Sequence, residues 1–143
     1  MKRRARAHVA AELELMRKIM LALGQHPSLK LWRQNVGQVP VRDRTGKVLR
    51  IFDAGPPNGA ADLSGFISPE GWRLEIEVKT DTKRSEDQER WAAAVTAGGC
   101  VYVLADFDPA LDLDANVRRA VDLVELAIAE RRARDGAELT ACP

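Results

Sequence analysis

A chain of 143 residues fits one domain, since single cores of about 100–150 residues are the commonest size. Hydrophobic residues make up 45% and charged residues 30%, a globular balance that excludes disorder and fibrous repeats. With 22 Lys and Arg against 21 Asp and Glu the net charge is +1, so any affinity for a polyanion must come from local patches.

In chain order, Val9, Leu13, Met16, Met20 and Leu23 recur three or four apart, which predicts an amphipathic helix over Val9–Leu23, ended by Gly24 and Pro27. Leu31–Val41 is mixed, but within it Val36, Val39 and Val41, interleaved with Gly37 and Pro40, suggest a short extended segment near an edge. Asp43–Lys47 is turn-rich and precedes Val48–Phe52, which suggests a hairpin across Gly46. Ala54–Ala61, rich in Gly and Pro, reads as a loop leading into a strand over Asp62–Ile67. The turn Ser68–Gly71 joins it to a strand over Trp72–Lys79, whose strict alternation predicts one apolar face and one solvated, charged face. Ser85 suits a helix N-cap, with Glu86, Asp87 and Glu89 in the first turns and Gly98-Gly99 at the end. The run Cys100–Leu104 follows as a buried strand, and strand, helix, strand in this order implies a parallel pair. After an acidic loop, Asp106–Asp114, a closing helix runs from Leu113 to about Arg134, and Asp135–Pro143 reads as a frayed tail. The expected fold is α/β, one domain with a central mixed sheet, a hairpin carrying the site and helices on its faces.

No apolar run approaches the length of about 18–20 residues that crosses a bilayer, and neither export signal nor anchor is expected. Cys100 and Cys142 suggest no disulfide framework, so a reducing cytoplasm is the expected compartment. His8 and His26 lie far apart and no Cys/His cluster has zinc spacing.

Glu77 and Lys79 stand two apart on a strand, so both leave the same face. Alone this is a common surface pattern. Asp62, behind its Gly-rich loop at the start of the neighbouring strand, adds a third ionisable group. Two converging carboxylates repel unless a cation lies between them, and an all-oxygen site suits magnesium or manganese. Asp62 and Glu77 are therefore expected to hold the ion, with the Val78 carbonyl as a further ligand and Glu12 or Glu14 as a carboxylate from the first helix. Lys79 is expected to orient the attacking water or stabilise charge developing on phosphorus.

The arrangement resembles the PD-(D/E)xK nuclease superfamily, in particular its VRR-NUC branch of phage and bacterial origin, over about residues 10 to 105. Four stretches carry the resemblance in order: Glu12-Leu13-Glu14-Leu15, Gly59-Ala60-Ala61-Asp62-Leu63, Ile76-Glu77-Val78-Lys79 and Ser85-Glu86-Asp87-Gln88. Trp32–Gly37 and Gly98-Gly99 are similar to the family as well, while Ala61 replaces the proline that gives the superfamily its first letter. The resemblance implies a restriction-endonuclease-like core, metal binding by Glu12, Asp62 and Glu77, catalysis by Lys79, and support of the site by Gln88. It also implies a DNA endonuclease working in a bacterial or phage-infected cytoplasm, acting as a homodimer on branched or four-way (Holliday) junction DNA.

Arg33, Lys83 and Arg84 flank the expected site and suit phosphate contacts, with plain solubility as the alternative. Trp32 and Trp91, beside apolar stripes, are read as core residues, with stacking on bases the alternative. Cys100 is read as a buried small hydrophobe. The apolar stripe Val117–Ile128 of the closing helix either pairs two chains or covers the sheet. The main rival function is a nucleic-acid-binding module without chemistry. A nucleotide-cofactor enzyme is weaker, since no Gly-x-Gly-x-x-Gly or phosphate loop is present.

Overall fold

In the computed structural model α1 (Lys2–Gly24) contains the expected helix and extends it toward the N-terminus. Leu15, Met16, Ile19 and Leu23 share one stripe of this helix, and all four are buried. The structure describes residues 2–34, 37–80 and 83–140, with the backbone alone for residues 2–9, 38, 53, 54 and 138–140. Cys142 and the side chain of His8 therefore lie outside the description.

The segment expected over Leu31–Val41 divides into two strands of different sheets, β1 (Leu29–Arg33) and β2 (Gly37–Arg42), with Asn35 and Val36 outside the described residues. β2 pairs with β3 (Val48–Ala54) in the expected hairpin. Its turn is held by the Asp43 side chain, which accepts the N–H groups of Thr45 at 2.8 Å and Lys47 at 3.0 Å. Among the described residues this hairpin makes no extensive contact with any other element, so it stands off as an arm. Its Val39, Leu49, Ile51 and Phe52 are all exposed.

The main sheet adds β4 (Leu63–Ile67), β5 (Trp72–Lys79) and β6 (Val101–Asp106) to β1, in the order β1-β4-β5-β6. β1–β4 and β4–β5 are antiparallel and β5–β6 is parallel, so the sheet is mixed, and the expected parallel pair forms around α2 (Glu86–Ala97). α1 and α3 (Leu113–Thr140) cover one face, where Leu63, Leu74, Ile76 and Val78 meet Leu15, Ile19, Val124 and Ile128. α2 covers part of the other face through Gln88 and Trp91, which reach Glu77 and Glu75. The chain is thus a mixed α/β fold with a central sheet flanked by helices. Among the described residues no helix is long and apolar enough to cross a membrane.

Two expectations need correction. β5 is not half-buried with a solvated charged face: Glu75 and Glu77 are both fully buried, because α2 roofs the face from which they project. Nor does the chain fray at Asp135, since α3 continues to Thr140. Arg131 holds that last stretch, pairing with Asp135 one turn on at 2.8 Å while donating to the Gly99 carbonyl at 2.7 Å. The stripe of α3 is spent on the fold, with Ala120, Val124 and Ile128 buried against the sheet.

Candidate functional site

Asp62 is placed by the loop before β4. Gly59 sits there at φ +89°, and a Cβ on it would collide with the Asp87 carbonyl, so only glycine lets the loop lie against the start of α2. Leu63 pairs with Ile76, which sets Asp62 one step further, opposite Glu77 on β5. From there the Asp62 Oδ2 accepts the Val78 backbone N–H at 2.9 Å, and the Asp62 carbonyl accepts the Gln34 N–H at 2.8 Å.

The Glu77 side chain is fully buried. Its Oε1 accepts from Lys79 Nζ at 2.9 Å and from the side-chain amide of Gln88. Its Oε2 is buried with no hydrogen-bond partner. Burial pushes the Glu77 carboxyl up to about 7; the hydrogen bond from Lys79 opposes the rise, and the charges of Asp62 and Glu12 add to it. Lys79 is held above the ordinary lysine value: burial works against this, but its bond to Glu77 and the charges of Glu77, Glu12 and Asp62 prevail.

The two helix carboxylates face different neighbours. Glu12 lies three and four residues before the buried Leu15 and Met16, on the stripe that faces the sheet, and its charge acts on both Glu77 and Lys79. Glu14 is exposed and acts on Lys18, which pairs with Asp114 of α3.

Gln88 has two duties. Its Oε1 accepts the Ser85 N–H at 2.9 Å while its own N–H donates to the Ser85 hydroxyl at 3.3 Å, which closes a capping box at the start of α2. The same side chain turns its amide nitrogen onto Glu77.

A cleft of about 450 Å³ opens beside Asp62, lined by residues that include Arg33, Gln34, Asn58, Asp62, Ser85 and Gln88. Arg33 is thus at the cleft, whereas Lys83 and Arg84 are not part of its lining; Lys83 is exposed and Arg84 stands near the Tyr102 hydroxyl.

Two residues that sequence reasoning passed over belong to this network. Glu75, fully buried one pleat before Glu77, accepts from the Trp91 indole and from Gln34 Nε2 at 3.4 Å, and pairs with Arg73. Gln34 links that carboxylate to the backbone of Asp62. The signal for Glu75 was its place in the Glu75, Glu77, Lys79 period of two. Gln34 had only its position in the stretch Trp32–Gly37.

The donor types are those a hard divalent cation takes: carboxylate oxygens, one buried oxygen of Glu77 without a partner, and the charges of Asp62 and Glu12, which raise the proton affinity of Glu77. The groups are near one another but not closed into a ligand shell; among the described residues no three His, Cys, Asp or Glu side chains are grouped to hold a metal. Asp62 is turned onto Val78, and Glu77 onto Lys79 and Gln88. Searches of protein-family models and of curated proteins find no match for this chain.

Proposed function

We propose that the chain is a metal-dependent nuclease that hydrolyses DNA phosphodiester bonds, with a restriction-endonuclease-like core of the PD-(D/E)xK kind that the VRR-NUC resemblance implies. The observation that carries this reading is a buried Glu77 with one unsatisfied oxygen, opposite Asp62 and 2.9 Å from Lys79, behind Asp62 and Gln88, which line an open cleft.

Glu12, Asp62 and Glu77 would hold magnesium or manganese, with the Val78 carbonyl as a neutral ligand, and the bound ion would supply an activated water and screen phosphate charge. The chain's own groups do the rest. Lys79 keeps its proton and offers a fixed positive charge to the phosphate. Gln88 holds the Glu77 carboxylate in orientation from α2. Arg33 at the cleft supplies affinity for the DNA backbone, and Lys83 and Arg84 extend that contact at the entrance to α2.

A pair of chains acting on branched DNA is the assembly that the resemblance implies. The exposed apolar residues of the β2–β3 arm are the surface for that pairing, since the stripe of α3 is consumed by the sheet.

A nucleic-acid-binding module without chemistry is the second reading, favoured by the absence of a closed ligand group among the described residues. One experiment separates the two: wild type and Asp62→Ala incubated with linear, flapped and four-way DNA in magnesium or manganese. Cleavage by the wild type alone supports the enzyme. Binding that survives EDTA, with no cutting of any substrate, supports the module, and equal cutting by both proteins shows the site to be misplaced.

A further inference from the structure

The sheet face that carries Glu77 continues past α2 onto β4 and the edge strand β1, where Ser64 is buried but, among the described residues, nothing covers Trp32 and Phe66 fully. Register places Trp32 opposite Ser64 and Ser64 opposite Glu75, so Trp32 projects from the same face as the site. Contrary to the core position expected for it, Trp32 is 49% exposed, and Phe66 beside it is 41% exposed. Their rings stand 6.4 Å apart at 55°. Trp91, by contrast, is half-buried and tied to Glu75.

Two exposed cations frame the pair, of which Arg73 also pairs with Glu75 and lies over the Trp91 ring. Lys30 and Arg73 lie on either side of Phe66 in the same register row. No acidic residue occurs on this face of β1 or β4. An uncovered aromatic pair flanked by positive charge is complementary to bases strung on a phosphate backbone.

Its position relative to the cleft is fixed by the strands. Trp32 is two residues, roughly 7 Å, before Gln34, whose N–H is bonded to Asp62, and Phe66 is roughly 13 Å along β4 from Asp62. That span accommodates a few nucleotides leading to the cleft.

We infer that Trp32 and Phe66 form a stacking platform for the unpaired strand of a DNA substrate, with Lys30 and Arg73 on its phosphates, so that the chain prefers DNA with a single-stranded arm beside the cleft. This rests on the nucleic-acid reading above and narrows it to a substrate class. Fully paired duplex offers no free base face to the two rings, whereas a flap or fork does.

The test measures binding of fluorescently labelled DNA by anisotropy, using an Asp62→Asn background to prevent cutting, with a blunt duplex and the same duplex bearing a single-stranded arm. The parent is expected to prefer the armed DNA. Trp32→Ala and Phe66→Ala are each expected to weaken its binding about five- to hundredfold, the range that alanine substitution of a stacking residue produces, and to abolish the preference. Trp32→Phe restores most of it, and Leu21→Ala, an exposed change on α1, leaves it intact.

The platform is overturned if Trp32→Ala leaves armed-DNA binding unchanged, or weakens blunt duplex equally. It is overturned too if Trp32→Ala dissolves a self-associated form of the protein without altering the preference. Trp32-dependent binding together with a wild type that cuts no DNA upholds the platform and sinks the nuclease reading alone.

Discussion

The carboxylate of Asp62 reaches across the strand gap and accepts the backbone N–H of Val78 at 2.9 Å, so the acid that opens β4 is pinned between Glu77 and Lys79 on β5. Charge and hydrogen bonding at Asp62 are therefore separable by mutation. Asp62→Asn keeps an acceptor for Val78 and should retain wild-type thermal stability while losing DNA cleavage. Asp62→Ala should lose cleavage and also about 1–3 kcal/mol of stability, the cost of leaving a partly buried donor unpaired. Urea denaturation beside a cleavage assay checks both, and cleavage by Asp62→Asn at the wild-type rate would refute the role of its charge.

In metal-free protein Glu77 titrates near 7, above its ordinary value of 4.5. The folded chain holds that proton to higher pH than the unfolded chain, so the associated stability is complete below about 4.5 and is lost as pH rises through 7. Melting temperature in EDTA should fall between pH 5 and pH 8, and Glu77→Gln should remove that component of the slope. A wild-type profile identical to that of Glu77→Gln would contradict the assignment.

Gln88→Glu separates the two duties of that residue. Glutamate serves a capping box as well as glutamine does, so α2 should keep its stability to within about 1 kcal/mol. It has no amide to donate to Glu77 and sets a second carboxylate against it, so cleavage should fall at least tenfold. Gln88→Ala should lose both. Thermal melts paired with cleavage rates decide, and unimpaired cleavage by Gln88→Glu would remove Gln88 from the site.

Gly59→Ala should be costly, because the new methyl meets the Asp87 carbonyl as well as requiring positive φ. A loss above about 2 kcal/mol is expected, against about 1 kcal/mol for Gly46→Ala, whose φ is also positive but whose Cβ would enter open space. Denaturant midpoints of the two variants compare them directly. Equal losses would mean that the Gly59 loop does not bear on α2.

If two chains pair through the arm, Ile51→Asp should shift the protein to a monomer in light scattering after size exclusion. Leu126→Asp, on the outer side of α3, should not, although its residue is exposed to a similar degree. A monomeric wild type would end this assignment.

Much of the fold could be read from the chain because its signals are local. The turns at Gly46 and Ser68–Gly71, the N-cap at Ser85 and the apolar phase of α1 each depend on a few neighbouring residues, and each lies where expected. The alternation of β5 correctly put Glu77 and Lys79 on one face. It could not show that α2 would roof that face and bury Glu75, since a charged stripe reads the same whether water or an indole lies above it. Trp32 failed in the opposite sense: the segment around it is legible as lying near an edge, but a large aromatic residue carries no mark that the covering helix will stop short of it. Phase and the resemblance point to Glu12 over Glu14, but where α1 crosses the sheet is not written in phase alone.

The double use of Gln88 ties the order of assembly to the readiness of the site. Until the first turn of α2 has wound, the amide that steadies Glu77 has no fixed position, and a chain still emerging or locally unravelled carries a slack carboxylate. On the nuclease reading proposed above, such a molecule would be disarmed by its own incompleteness, a safeguard that a site assembled from β5 alone would lack.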